Sequence, residues 1–280
     1  MRWSRTGGTS VLPVITERPT PDPRVRMFRS GTEVDCFAVV TRRHVVVVDT
    51  FGTPAEAAQM LALLRGDLAG RSLLVVNTHG HFDHAWGNAL FAPGGPHPAP
   101  ILGSRLAGEV LRSQAARDKL ARKQAEDARF AGVVLHPPTV TFDGSLTIDG
   151  GDLTLELRPA PGHSADQLVA WLPEPRLLLA ADALEFPFPY AERDADLPVL
   201  LATMHEMRAL DPAVVLPCHG GQHDASLIER NLAYFARLAA RPDTTFEEAL
   251  ADLGLTEVPN ADFYRELHGL NVRATRAASR

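Results

Sequence analysis

Cysteine is scarce in this sequence, since Cys36 and Cys218 are the only two among 280 residues. Their spacing excludes a fold held together by a framework of disulfides, and we interpret both as small core residues. No apolar stretch approaches the roughly 20 residues of a membrane-spanning helix. Residues 1–9 also lack the apolar core of about 7–15 residues that marks a secretory signal. We therefore expect a soluble, cytoplasmic protein.

A long basic run is also missing, and the net charge is −6. The composition thus gives no indication of nucleic acid or of an anionic membrane as a partner, although a local basic patch would still allow a nuclease. Hydrophobic residues make up 45% of the chain and charged residues 22%, as in a globular protein with a sizeable core. One large domain or two small ones fit this length.

The chain follows one plan twice, in which strand-like runs end in polar residues and a helical pattern comes next. β-branched runs such as Val34–Thr41 and His44–Asp49 predict antiparallel strands, and a shorter run predicts a strand at Val11–Ile15. The spacing of apolar residues in Thr53–Leu68 predicts a helix. One long charged helix is expected over Ser104–Phe130, and we interpret it as a solvated helix along one edge.

Three histidines and an aspartate stand within six residues, in the segment His79–His84. The apolar run Leu73–Val76 before it predicts a buried strand, so the segment forms a loop at a strand end, where sites are often built. Neutral imidazoles and carboxylates are ligands of zinc and of related metals. Packed together without a metal, these groups would be desolvated and poorly paired, at a cost in free energy. We therefore predict a metal site.

The directions of these side chains favour two metal ions over one. His79 and His81 can reach one ion, while Asp83 and His84 turn towards a second ion. Two ions about 3.5–4 Å apart form the usual clamp on an attacking and a leaving oxygen. Such a pair needs further ligands from later in the chain.

Three later residues, His163, Asp182 and His219, also stand at the end of an apolar run or just after one. If the strands pack as two sheets with helices outside, their ends converge on one rim. The candidate metal ligands are therefore His79, His81, Asp83, His84, His163, Asp182 and His219. Among the other histidines, we expect only His223, at a predicted helix start, to line the pocket.

The ligand pattern resembles that of the metallo-β-lactamase superfamily. The resemblance is carried by His79-Gly80-His81-Phe82-Asp83-His84, Gly162-His163, Asp182 and His219-Gly220, and it spans Val34 to Gly220. It implies an α+β fold, a four-layer αββα sandwich of two mixed β-sheets flanked by helices. It also implies that His79, His81 and His163 hold a first metal, and that Asp83, His84 and His219 hold a second. Asp182 would bridge the two metals, with a hydroxide between them.

The aspartate at position 182 narrows this resemblance, because the commonest zinc β-lactamases carry a cysteine there. The segment Pro161–Gln167 looks like the corresponding segment of those enzymes. An aspartate at position 182, however, resembles the pattern of glyoxalase II, lactonases, thioesterases and phosphodiesterases. The resemblance therefore implies a metallo-hydrolase that cleaves a small ester-like bond, such as a lactone or thioester, in a small-molecule substrate. The expected cofactors are two divalent ions, Zn²⁺ first, with iron or manganese as alternatives.

Three alternatives to this function stay open at this point. A persulfide dioxygenase of the same fold would hold one iron with His79, His163 and Asp182. Hydrolysis of an amide bond, as in β-lactamases, would use the whole centre. A metal-binding module without catalysis is the third alternative.

Asp83 and several residues next to the candidate ligands are expected to take part in proton transfer, in orienting the imidazoles or in substrate binding. Asp83 would orient the nucleophile and pass its proton to the leaving group. Asp49, Thr78 and Ser164 are candidates for fixing the imidazoles through hydrogen bonds. The resemblance to lactonases would make Tyr190 the counterpart of their substrate-site tyrosine, although Tyr190 stands further past Asp182 than that family places it.

Three segments of the chain are expected to differ in structure. Residues 1–23, rich in Thr, Pro, Gly and Arg, form an N-terminal arm. Residues 24–240 form the catalytic domain with the metallo-β-lactamase fold. Residues 241–280 form a helical extension packed on the same domain.

Overall fold

Two β-sheets form the centre of the structure, a computed structural model that describes residues 12–31, 34–191, 193 and 196–278. Within this part of the chain the strands are β1 (Ile15–Arg18), β2 (Val25–Ser30), β3 (Val34–Val40), β4 (His44–Val48), β5 (Ser72–Val76), β6 (Ile101–Ser104), β7 (Val140–Phe142), β8 (Leu146–Asp149), β9 (Thr154–Pro159), β10 (Leu168–Leu172), β11 (Leu177–Ala181) and β12 (Val214–Pro217). The first sheet has the strand order β1-β2-β3-β4-β5-β6-β7, and the second has the order β12-β11-β10-β9-β8.

Both sheets are mixed. In the first sheet, β1 to β4 pair antiparallel and β4 to β7 pair parallel. In the second sheet, β8 to β11 pair antiparallel, whereas β12 runs parallel to β11. Parallel neighbours end at the same edge of a sheet. The residues that follow β4 and β5 therefore meet at one edge of the first sheet, and those that follow β11 and β12 meet at one edge of the second.

The alternation of side chains along β11 defines the layers. Leu177 and Leu179 belong to an apolar core shared with the first sheet, whereas Leu178 and Ala180 belong to a second core shared with helices. Successive side chains of a strand point to opposite faces. The second sheet is therefore enclosed between the first sheet and a helical layer. In the first sheet, Val45–Val48 is buried on both faces.

Helices cover the outer faces of both sheets. Their bounds are α1 (Pro54–Leu63), α2 (Phe82–Ala85), α3 (Arg105–Arg112), α4 (Gln114–Glu126), α5 (Leu197–Ala209), α6 (Ser226–Ala240), α7 (Phe246–Asp252) and α8 (Ala261–Ala278), with 3₁₀ turns at Trp86–Leu90 and Ala128–Phe130. α1 buries Ala57 and Met60 in the first core, and α5, α6 and α8 contribute Leu200, Leu227 and Leu267 to the second. The expected four-layer α+β sandwich is confirmed. No helix in the described ranges has the length and apolar character required to cross a membrane.

The single long helix expected over Ser104–Phe130 is wrong. The segment forms two helices, α3 and α4, because Ser113 has an extended backbone (φ −69°, ψ 158°) between them. The Ser113 hydroxyl accepts a hydrogen bond from Ala116 N, as a residue at a helix start does. None of the α4 residues is fully buried, and Leu120 is only partly buried where it packs against the small apolar cluster that contains Phe82 and Phe130. The apolar spacing did not reveal this break, because a serine cap leaves the helical pattern around it intact.

Smaller differences occur near both ends of the chain. β1 begins at Ile15 and pairs with β2, and Val11 of the expected strand lies outside the described residues. The expectation that His223 starts a helix is wrong, because His223 forms an isolated bridge with Val215 and α6 begins at Ser226. The domain bounds at residues 23 and 240 stay predictions.

The core between the sheets makes a testable contribution to stability. Leu155 on β9 is fully buried in this core, whereas Leu63 at the end of α1 is 43% exposed. Leu155→Ala should lower the free energy of unfolding by about 2–5 kcal/mol, since it leaves a cavity. Leu63→Ala, the matched control, should change it by less than about 0.5 kcal/mol. Urea unfolding measures both, and equal midpoints for the two variants would contradict this packing.

Candidate metal centre

The loop between β5 and α2 carries the first histidines. Gly80 lies so close to α3 that a Cβ at this position would stand 2.8 Å from Val110 Cγ1. The Gly80 N–H donates to Asp166 Oδ2 over 2.7 Å, which ties the loop to the segment between β9 and β10. His81 has an extended backbone (φ −68°, ψ 158°) and precedes α2, whose helical turn carries Asp83. The change from loop to helix therefore separates the directions of the side chains before and after Phe82.

Asp49, which follows β4, supports this loop with both carboxylate oxygens. Oδ1 accepts from Thr78 N (2.7 Å), and Oδ2 accepts from Thr78 Oγ1 (2.7 Å) and His84 Nδ1 (2.8 Å). Thr78 Oγ1 in turn lies 3.0 Å from His79 Nδ1. Because the Nδ1 atoms of His79 and His84 are held in these bonds, their Nε2 atoms are left to face the centre.

Strained backbone places the residues contributed by the second sheet. Ala181 has a left-handed φ of +47°, and the pairing of β11 with β12 shifts register at this residue, immediately before Asp182. Such a conformation costs about 1–3 kcal/mol for a residue with a side chain. Gly162, with φ +130°, precedes His163, and a Cβ there would stand 2.3 Å from Leu200 Cα of α5. Close approach of α5 therefore requires glycine beside His163.

Two groups of candidate ligand atoms result, each with its atoms within 4.8 Å of one another. The first group contains His79, His81, His163 and Asp182. Within it, His163 Nε2 lies 3.2 Å from His81 Nδ1, and His79 Nε2 lies 3.7 Å from Asp182 Oδ2. These four side chains come from three different loops.

The second group contains Asp83, His84 and His219. Asp83 Oδ1 lies 3.8 Å from His84 Nε2, and Asp83 Oδ2 lies 3.7 Å from His219 Nε2. The structure thus places all seven sequence-predicted ligands in these two groups. Their role as ligands stays a prediction.

One oxygen of the first group, Asp182 Oδ2, also lies close to the second group. It lies 3.7 and 3.6 Å from Nε2 of His79 and His163, and 3.3 and 3.5 Å from Nε2 of His84 and His219. The carboxylate therefore lies between the imidazoles of the two groups.

The donor set fits metal ions on the evidence of its buried polar atoms. His79 Nε2, His84 Nε2 and Asp182 Oδ1 are buried and form no hydrogen bond within the described residues. An unpaired buried polar group costs about 1–3 kcal/mol, so three at one point call for a ligand. Imidazole nitrogens and carboxylate oxygens suit zinc, iron and manganese.

The charged groups of the cluster shift one another's pKa values. Burial, with the neighbouring His84 and His81, holds the pKa of His79 well below its usual value, so that His79 is neutral. Burial lowers the pKa of His219, but the carboxylates of Asp182, Glu185 and Asp83 together outweigh burial and raise this pKa to about 10. Burial raises the pKa of Asp182, yet His84 and His219 hold it well below its usual value. Asp182 therefore stays ionised and keeps negative charge between the two groups.

A third group, formed by Asp49, His84 and Cys218, also brings three candidate ligand atoms together. Both oxygens of Asp49 already accept hydrogen bonds, and Cys218 Sγ lies 3.8 Å from Oδ2. Burial raises the pKa of the Cys218 thiol well above its usual value, so the sulfur stays protonated. We interpret this group as support for His84 and not as a further metal site.

Three further residues that the sequence singled out, Tyr190, His223 and Ser164, differ in their relation to the ligand groups. The ring of Tyr190 meets His163 edge to face, with 4.8 Å between centroids, and its carbonyl oxygen lies 3.2 Å from His163 Nδ1. The ring of His223 packs on Phe186 at 4.9 Å, and His223 is in neither main group. Ser164 Oγ is buried and forms no hydrogen bond within the described ranges, so it fixes no imidazole there.

The sequence interpretation missed Glu185. This carboxyl is 2% exposed, and burial raises its pKa to about 8. It stands close enough to His219 to help raise the pKa of that imidazole. A single acid within the apolar segment 183–191 was the available signal.

Comparison with known proteins gives matches of two kinds. The sequence profile of the metallo-beta-lactamase superfamily matches residues 29–219. Among solved structures, a metallo-beta-lactamase from Pontibacter korlensis is 22% identical with a TM-score of 0.60, covering 78% of this chain and 97% of that one. FIM-1 from Pseudomonas aeruginosa, in its mono-zinc form, is 16% identical with a TM-score of 0.58, covering 81% and 96%. At these identities the structural matches establish the fold alone.

A further structural match is TMB-1, which is 17% identical with a TM-score of 0.60 and covers 79% of this chain and 97% of that one. A search of curated proteins gave no match. The profile match covers most of the chain, from the end of β2 to the residue after Cys218.

The hydrogen bonds from Thr78 and His84 to Asp49 should strengthen metal binding. Asp49→Asn keeps the shape of the side chain but directs an amide N–H at the donors Thr78 and His84. Binding of Zn²⁺ to the metal-free protein should weaken by about 10–100-fold. Glu56→Gln is the matched control, because Glu56 is also a buried carboxylate, hydrogen-bonded to Ser30 and Thr53. Competition with a chromophoric chelator measures both affinities, and an unchanged affinity in Asp49→Asn would contradict the support role.

Proposed function

Since the chain belongs to the metallo-beta-lactamase superfamily, we propose that it is a hydrolase that uses two divalent metal ions, Zn²⁺ first, to cleave a small ester-like bond. Membership of the superfamily supports a metal-dependent hydrolase in general terms. The observation that carries the dinuclear proposal is the position of Asp182 Oδ2, within 3.3–3.7 Å of imidazole nitrogens from both ligand groups. Two cations can share this oxygen.

The two ligand groups assign residues to the two ions. His79, His81 and His163 would hold one ion, and Asp83, His84 and His219 the other. Asp182 would contact both. When bound, such ions lower the pKa of a bound water to about 7 and stabilise negative charge that develops on oxygen.

The protein's own contribution is orientation and proton transfer. Asp83 is 8% exposed, so its carboxylate lies at the boundary between the buried centre and solvent. From there it orients the attacking water, accepts its proton and passes this proton to the leaving oxygen or sulfur. The surrounding loops exclude other water from the buried side, where His79 and His84 have no exposed surface.

The ester-like substrate is inferred from two residues. An aspartate at position 182, where the commonest zinc β-lactamases carry cysteine, is similar to lactonases, thioesterases and glyoxalase II. Tyr190 is half-buried, and its ring stands against His163, so a substrate held at the first ligand group would contact it. This contact is the proposed role of Tyr190 in substrate binding.

A second candidate is the oxidation of a persulfide at one iron. Two histidines and a carboxylate form a compact set, since Nε2 of His79 and of His163 lie 3.7 and 3.6 Å from Asp182 Oδ2. Such a set with open positions is typical of non-haem iron oxygenases. The complete second group favours the hydrolase, because a single iron leaves Asp83 and His219 without a function.

The role of Asp83 can be tested by substitution. Asp83→Ala should lower kcat/KM by about 10²–10⁴-fold, because the transferred proton loses its acceptor. Asp143→Ala is the control, since Asp143 is an exposed partner of Arg105. Hydrolysis of lactone, thioester, phosphodiester and β-lactam substrates measures activity, and circular dichroism checks the fold. A folded Asp83→Ala protein with full activity would sink the mechanism.

Metal removal separates the two candidate functions. Dialysis against a chelator should abolish hydrolysis, and added Zn²⁺ should restore it at two ions per chain. Elemental analysis and the same substrate panel provide the measurements. One iron per chain, with oxygen uptake that depends on a persulfide, would instead identify the dioxygenase.

A further inference from the structure

The loop that follows Asp182, residues 183–191, is held in place without strand pairing. It contains Phe186-Pro187-Phe188-Pro189-Tyr190, in which the prolines have no N–H to donate. No strand runs through residues 183–191, so the carbonyls of this loop lack the partners that a sheet would give them. Most of the loop is nevertheless buried, and buried carbonyls require donors from elsewhere.

The far end of this loop reaches a candidate metal ligand. His163 Nδ1 lies 3.2 Å from the carbonyl oxygen of Tyr190. A carbonyl can only accept, so Nδ1 carries the proton and Nε2 presents its lone pair to the centre. His163 Nε2 accordingly faces His81 Nδ1 at 3.2 Å and Asp182 Oδ2 at 3.6 Å. The position of the Tyr190 carbonyl therefore sets the orientation of His163.

Side chains from the C-terminal helices supply the missing donors. Asn231 Nδ2 on α6 donates to the carbonyls of Glu185 (2.9 Å) and Pro187 (3.3 Å). The hydroxyl of Tyr264 on α8 lies 3.1 Å from the carbonyl oxygen of Phe186. Asn271 Nδ2, also on α8, donates to the carbonyl of Pro189 over 2.9 Å. These four hydrogen bonds, from three side chains, bring successive points of the loop against the helical layer.

These contacts come from the interior of the helical layer. Asn231 and Asn271 have no exposed surface, and Tyr264 is 6% exposed. Phe188 is also fully buried and stacks on Tyr234, with 4.1 Å between centroids and 2° between planes. Asn231 Nδ2 donates to two loop carbonyls, and Asn271 Nδ2 donates to one loop carbonyl and to the Tyr234 hydroxyl (3.3 Å), so both buried amide groups are used as donors.

We propose that Asn271 is a positioning residue of the metal centre, which acts on His163 through the carbonyls of Pro189 and Tyr190. This inference rests on the proposed metal-binding function. Pro189 and Tyr190 are neighbours, so the hydrogen bond at one carbonyl restrains the peptide that carries the next. Loss of the Asn271 amide removes one restraint on the Tyr190 carbonyl and, through this carbonyl, on the orientation of the His163 ring. Asn271 itself touches neither metal nor substrate.

Cobalt binding tests this role, because Co²⁺ reports its ligand geometry by visible absorption. Asn271→Leu keeps much of the volume and removes the donor. Titration of Co²⁺ into the metal-free variant should give at least a tenfold weaker affinity than in wild type and an altered spectrum. The control Leu238→Ala removes a fully buried side chain from the same helical layer without a hydrogen bond to the loop. It should lower the melting temperature but keep the wild-type affinity and spectrum.

Hydrogen exchange provides a readout that needs no metal. In the metal-free protein, amides of residues 183–191 should exchange faster in Asn271→Leu than in wild type, and at the wild-type rate in Leu238→Ala. Equal Co²⁺ affinity in Asn271→Leu and wild type, or equal losses in both variants, would overturn the positioning role, as would unchanged exchange in Asn271→Leu. Wild-type protein that binds no Co²⁺ would contradict the metallohydrolase instead, and exchange would still test the link from Asn271 to the loop.

Discussion

The buried carboxylate of Asp182 is the group on which the rest of the centre depends. Its Oδ2 atom lies within 3.3–3.7 Å of four imidazoles, which come from three separate segments of the chain. A negative charge at this depth is tolerated only when it is paired, and removal of its partners leaves it unpaired in a medium of low polarity. The sandwich satisfies this requirement because both sheets end at the same rim and direct their imidazoles at one oxygen.

This convergence is obtained at the expense of local backbone energy. Asp49 and Ala181, at the ends of β4 and β11, both have left-handed conformations, with φ of +67° and +47°. Each costs about 1–3 kcal/mol. The cost is offset around Asp49 by its hydrogen bonds to Thr78 and His84, and around Ala181 by the fully buried apolar residues of β11. The rigid core between the sheets thus permits strain at the rim.

Much of the fold and of the candidate site could be predicted from the sequence, because the candidate ligands are histidines and aspartates that follow apolar, strand-like runs. Apolar runs that end in His163, Asp182 and His219 can be recognised without a structure, and the resemblance then supplies the sandwich. Ser113, which divides α3 from α4, and the carbonyl of Tyr190 could not be found this way. A cap resembles any other serine in a helical pattern, and every residue has a carbonyl, so only tertiary contacts distinguish them.

The family match does not extend over the C-terminal helices that hold the loop after Asp182. The match ends at residue 219, before α6 and α8 begin. Asn231 and Asn271 from these helices nevertheless donate to loop carbonyls between Asp182 and the Tyr190 carbonyl that meets His163. Because Pro187 and Pro189 remove two N–H groups from this loop, it cannot hold its shape by strand pairing. The matched region therefore contains the candidate ligands, but the geometry of His163 also depends on helices outside it.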